Sequence, residues 1–80
     1  MESIGYLIRQ KLHEQGKTVK DFADAIGYRR TNAYRIFNQQ SIDTELLYQI
    51  SVYLNFDFFS LYSERYKMRE YIMNHTCLNK

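Results

Sequence analysis

Between Ala25 and Ile42 the chain carries three arginines, Arg29, Arg30 and Arg35, and no acidic residue, and these cations alternate with Asn32, Tyr34, Asn38, Gln39 and Gln40. A guanidinium group offers parallel N–H donors to paired oxygens, while amide and hydroxyl side chains both donate and accept. Gathered on one face, such a set suits phosphates and the hydrogen-bonding edges of bases. A solvated basic surface is the plainer alternative.

Other chemistry finds less support. His13 and His75 stand far apart in sequence without a carboxylate cluster, and Cys77 is the single cysteine. His75 and Cys77 together supply two candidate ligands, which is too few for a structural metal site. There is no Gly-rich phosphate cradle, nucleophile motif or obvious acid/base pair, so the expectation is a non-enzyme without metal or cofactor.

The elements that must position the arginines follow from composition and periodicity. Eighty residues suffice for one compact module. With 45% hydrophobic and 16% aromatic residues, the chain has the means to close a core and is too apolar to remain disordered. No window approaches the ~20 apolar residues of a membrane span, and the N-terminus lacks a signal peptide's apolar centre. A cytoplasmic protein is expected. Net charge is only +2, but it is unevenly spread: residues 1–40 carry seven Lys/Arg against four Asp/Glu, and residues 41–80 four against five.

Zero prolines and three glycines disfavour a turn-rich β architecture. Ile4, Ile8 and Leu12 recur at helical spacing after a Ser3 cap, with Gly16 as a left-handed stop. Thr18 opens a second helix with Asp21 in capping-box position; Val19, Phe22, Ala23 and Ile26 form its inner face and Gly27 ends it. A third helix over Arg29–Phe37 buries Ala33, Ile36 and Phe37, which leaves Arg30, Thr31, Tyr34, Arg35 and Asn38 on the opposite arc. After a loop from Asn38 to Ile42, Asp43 or Thr44 caps a fourth helix with Leu46, Leu47, Ile50, Tyr53 and Leu54 inward. Asn55 stops it. Asp57 then caps a fifth helix from Phe58, and Glu64 to His75 stays helix-compatible, with Met68, Ile72 and His75 on one face and Tyr71 adjoining. The aromatic residues Tyr48, Tyr53, Phe56, Phe58, Phe59, Tyr62, Tyr66 and Tyr71 are expected first of all in the core, with the later members in excess of what one small domain needs.

The stretch TVKDFADAIGYRRTNAYRIFN, Thr18 to Asn38, resembles the Cro and lambda-repressor type of bacterial and phage DNA-binding domains. Phe22-Ala23, Ile26-Gly27, Ala33 and Ile36 match that family's buried positions, and Leu47, Ile50, Ser51 and Leu54 its fourth-helix pattern; coverage runs from about residue 4 to 62. The resemblance implies an all-α, five-helix domain over residues 1–63, followed by a C-terminal helical extension over 64–80. Three positions depart from the family pattern. Val19 stands where many members have a phosphate-contacting Gln, Leu12 and Phe37 replace an Arg–Glu ion pair, and Gln39 replaces the Gly that follows the recognition helix.

By the same resemblance, Arg30, Thr31 and Arg35, with Arg29 and Asn32 at the edge, read bases of double-stranded DNA. Thr18, Tyr34, Asn38, Gln39, Gln40 and Ser41 meet phosphates. The implied protein is a sequence-specific, repressor-like transcription regulator of the bacterial cytoplasm and nucleoid. The apolar stripe of Met68, Ile72 and His75, with Tyr71 adjoining, needs burial and is expected to form a homodimer contact, with packing back onto its own domain as the alternative. Two rivals stay open: a protein-interaction module on the same fold, and an antitoxin-like partner-binding protein.

Overall fold

The computed structural model describes residues 3–76, with side chains through residue 69. Five helices follow one another: α1 (Ile4–Glu14), α2 (Val19–Ile26), α3 (Arg30–Ile36), α4 (Thr44–Leu54) and α5 (Phe59–Thr76). There is no strand among the described residues.

Each boundary has a local cause. A helix start leaves backbone N–H groups without partners, and a short polar side chain just outside can accept from one of them, worth about 1 kcal/mol. Ser3 Oγ accepts from the Tyr6 N–H at 3.2 Å, Thr18 Oγ1 from Asp21 at 3.1 Å, Asp43 Oδ2 from Leu46 at 3.2 Å, and Asp57 Oδ1 from Phe59 at 3.0 Å. Helices α1, α2 and α4 end in left-handed residues, Gly16 (φ +67°), Gly27 (φ +73°) and Asn55 (φ +50°). Beyond each stop the next N–H turns back onto the last helical turn, from Lys17 to Leu12 O at 3.1 Å, Tyr28 to Ala23 O at 2.8 Å, and Phe56 to Ser51 O at 3.0 Å. These are Schellman closures.

The core draws on every element. Ile4, Ile8 and Leu12 of α1 meet Phe22, Ala23 and Ile26 of α2, Ala33, Ile36 and Phe37 at α3, Leu47, Ile50 and Leu54 of α4, and Phe58 just before α5. At its centre the Phe22 ring stacks on Phe37 with centroids 5.7 Å apart and lies 6.2 Å from Tyr53. No polar or charged residue is buried among the described residues. Gln15 ties the end of α1 to the end of α4, donating from Nε2 to the Leu54 carbonyl at 2.6 Å.

Three details differ from the sequence expectation. Helix α3 is one residue shorter at each end, because Arg29 is extended (φ −74°, ψ 152°) and Phe37 closes the last turn as a cap. Phe58 lies in the turn before α5 and is buried there. Tyr48 is 56% exposed on the outer side of α4 and so does not belong to the core. It lies one position beyond Leu47, and the buried stripe Leu47–Ile50–Leu54 turns away from it.

Candidate nucleic-acid interface

The interface is set by how α2 and α3 meet. Gly27 reverses the chain in a left-handed conformation, Tyr28 and an extended Arg29 carry it across, and the backbone re-enters a helix at Arg30. The two helices pack through Phe22, Ala23 and Ile26 against Ala33 and Ile36. Ala33 is fully buried, and its single methyl group lets the helices approach closely.

With Ala33 and Ile36 inward, Arg29, Arg30, Thr31, Asn32, Tyr34 and Arg35 are all exposed. None of the three guanidinium groups forms an ion pair or hydrogen bond among the described residues. The arc is therefore a set of uncommitted cations and polar groups on a rigid base. Tyr34 is 52% exposed, its ring braced edge-on against Phe37 at 6.1 Å.

The expected phosphate-contacting residues flank this arc. Asn38, Gln39, Gln40 and Ser41 are exposed where the chain leaves α3, and Thr18 is exposed at the start of α2. Thr18 spends an oxygen lone pair on the Asp21 N–H, which leaves its hydroxyl proton available to donate outward. Tyr34 and Val19 line one cleft, which brings the outer arc of α3 beside the beginning of α2.

The departures from the family pattern have structural explanations. Val19 packs partly buried against the core. Gln39 needs no glycine-like conformation, because Asn55 is the one non-glycine residue with positive φ among the described residues. Instead α3 tightens as it ends, with the Asn38 and Gln39 N–H groups donating to Arg35 and Ile36 carbonyls, both at 3.1 Å. Leu12 and Phe37 are buried and line the same cleft, so apolar contact occupies the place of an ion pair.

One positioning residue escaped the sequence reading. Gly5 lies against the end of α3, where a Cβ would collide with the Ile36 carbonyl oxygen and, at 2.7 Å, with the Phe37 carbonyl. Its N–H donates to Gln39 O at 3.1 Å, pinning the loop after α3 to the first turn of α1. The available signal was a glycine inside a helix, a placement costing about 1 kcal/mol relative to Ala unless packing requires it.

Of the residues expected at a dimer contact, Met68 is 54% exposed on α5; the side chains of Tyr71, Ile72 and His75 lie outside the described residues. No group of three or more His, Cys, Asp or Glu side chains among the described residues is arranged to hold a metal. No described helix is long and apolar enough to cross a membrane.

A family model described as Helix-turn-helix matches residues 8–61. No curated protein and no solved structure matches the chain. The matched span takes in the Gly27 reversal, the buried Ala33 and the exposed arginine arc, and it covers more than half of the sequence. The chain belongs to the Cro/C1-type helix-turn-helix family and carries a DNA-binding domain of the transcription-regulator type.

Proposed function

We propose that the protein is a sequence-specific, repressor-like regulator that reads the major groove of double-stranded DNA with α3 and acts as a homodimer in the bacterial cytoplasm. The observation that carries this reading is the arc of Arg29, Arg30 and Arg35, exposed and without ion pairs on the second helix of the helix-turn-helix, in a stretch free of acids. Arg30 and Arg35 are the bidentate readers, suited to guanine O6 and N7; Thr31 meets a thymine methyl group or a polar base edge, with Arg29 and Asn32 beside them. Thr18, Tyr34, Asn38, Gln39, Gln40 and Ser41 hold the backbone and fix the register.

The homodimer is supported by α5. Among the described side chains Leu61 and Tyr62 are the last to pack on the core, and from Ser63 to Arg69 every side chain is exposed except Arg65, which lies 5.1 Å from the Tyr62 ring. Through residue 69 the extension does not complete its own domain's core, which leaves Met68, and by sequence spacing Tyr71, Ile72 and His75, for a second copy. Pairing would hold two recognition helices about one DNA turn, roughly 34 Å, apart on a palindromic site.

A protein-interaction module is the second reading, favoured by exposed Tyr48 (56%) and Val52 (63%) beside a shallow cleft that includes Phe56 and Phe59. Selection of bound sequences from random duplexes separates the two. A recovered palindromic consensus supports the regulator, and failure to enrich any sequence supports the module.

A further inference from the structure

Helix α5 carries apolar residues on two opposite sides. Leu61 lines a small cleft with Leu7 of α1, and Met68, two helical turns further on, continues that side. Phe59 faces the other way: with Tyr48, Val52, Asn55 and Phe56 it lines a groove of about 430 Å³ between α4 and the start of α5. Tyr66, two turns beyond Phe59, continues this second side as an exposed ring. Two polar features mark the groove. Ser51 Oγ is buried in its wall without a hydrogen-bond partner, and Asp57 stands at its rim. The homodimer contact proposed above uses the Met68 side, so the aromatic side stays open in that dimer.

We propose that this side of α4 and α5 takes the same surface of a second copy, with the two α5 helices crossing antiparallel and each Tyr66 entering the other copy's groove. The inference stands apart from the DNA-binding reading and adds a second self-association surface to the homodimer. The surface is complementary to itself. A two-fold axis passing α5 between Tyr62 and Ser63 sets Tyr66 opposite Phe59, knob against hole, in both directions at once. The same register brings the stretch Lys67–Arg69 opposite Asp57. Lys67 and Arg69 are exposed and form no ion pair among the described residues, so both cations are available to that carboxylate. Asp57 accepts from the Phe59 N–H through Oδ1, which leaves Oδ2 for an incoming cation. Ser63 is small and exposed, so the helices can approach closely where they cross. Pairing also covers Tyr48 and Val52, which a single chain leaves exposed, and a phenol at the groove wall supplies the hydrogen bond that Ser51 Oγ lacks.

The test is sedimentation velocity of the full chain, without DNA, from low to high micromolar concentration. The wild type should form an assembly larger than a dimer, and Val52→Asp with Tyr66→Ser should stop it at the dimer, weakening the lost contact by about thirty-fold or more. Both side chains are exposed, so circular dichroism of the double variant should match the wild type. In a chain carrying Cys77→Ser, Ser63→Cys lies at the crossing point and should join two copies through a short bismaleimide, whereas Glu64→Cys should not. A wild-type dimer that the double variant reduces to monomers keeps this pairing and overturns the Met68 contact. A wild-type dimer that the double variant leaves unchanged overturns the pairing, keeps the homodimer reading and leaves the groove to a different protein. Absence of the Ser63→Cys crosslink overturns the antiparallel crossing, and a wild type that is monomeric at high micromolar concentration overturns both surfaces.

Discussion

Arg30 and Arg35 are exposed on a helix whose opposite face is buried through Ala33 and Ile36, which gives the base-reading role proposed for them a fixed base. Truncating either to alanine should cost about 1–3 kcal/mol on the selected site and relax preference at a single base pair. Replacing Gln40 by alanine should weaken all sequences similarly. Competition binding against single-base variants of the site distinguishes the two patterns. Gly5 makes a different demand. In Gly5→Ala the new methyl group must displace backbone carbonyls at the end of α3, where no flexible side chain can yield. A loss of about 2–4 kcal/mol is expected, in the range of severe backbone and packing lesions, measured by urea denaturation. A cost below about 1 kcal/mol would show that α3 can shift away from α1 freely. Leu12 and Phe37 form the third residue-scale case. Leu12→Arg or Phe37→Glu alone places an unpartnered charge at a buried position and should cost about 3 kcal/mol or more, with part of the loss recovered in the double variant. A double-mutant cycle with coupling under about 0.5 kcal/mol would refute their proximity.

At the scale of elements, what the sequence revealed depended on how local the cause was. Caps at Ser3, Thr18, Asp43 and Asp57, and stops at Gly16, Gly27 and Asn55, act within a few residues of themselves, and all are in place. The inward faces of α1, α2 and α3 follow from 3.6-residue periodicity in the same local way. Gly5 and the Gln15–Leu54 hydrogen bond were missed because their partners are distant in sequence, thirty-nine positions away in the second case. Tyr48 was misplaced because aromatic character indicates burial on average, while its position on α4 decides the outcome here. For α5, eighteen residues at about 1.5 Å each span about 27 Å, while Tyr62 is the last of the described side chains on the core. Truncation after Ser63 should leave a folded domain by circular dichroism that sediments as a monomer and loses most operator affinity. An unfolded truncation product, or a full-length protein that is monomeric at high micromolar concentration, would contradict the dimer role of the extension.

For the whole molecule, the modest net charge of +2 conceals a sorted distribution. The arginines of the α3 arc lie in the basic first half, and the second half, from Asp43 onward, is slightly acidic and supplies α4 and α5. Such asymmetry orients one side of a small domain toward a polyanion without making the whole surface adhesive. Fluorescence anisotropy decides whether α3 reads sequence or merely grips phosphate. The wild-type protein is titrated against its selected duplex and a scrambled duplex of equal length and composition, each at several salt concentrations. Affinity for the selected site is expected to be about 10³-fold tighter than for the scrambled one, with both falling linearly in log K against log salt. Equal affinities for the two duplexes across the salt series, or no binding to either at low salt, would contradict it.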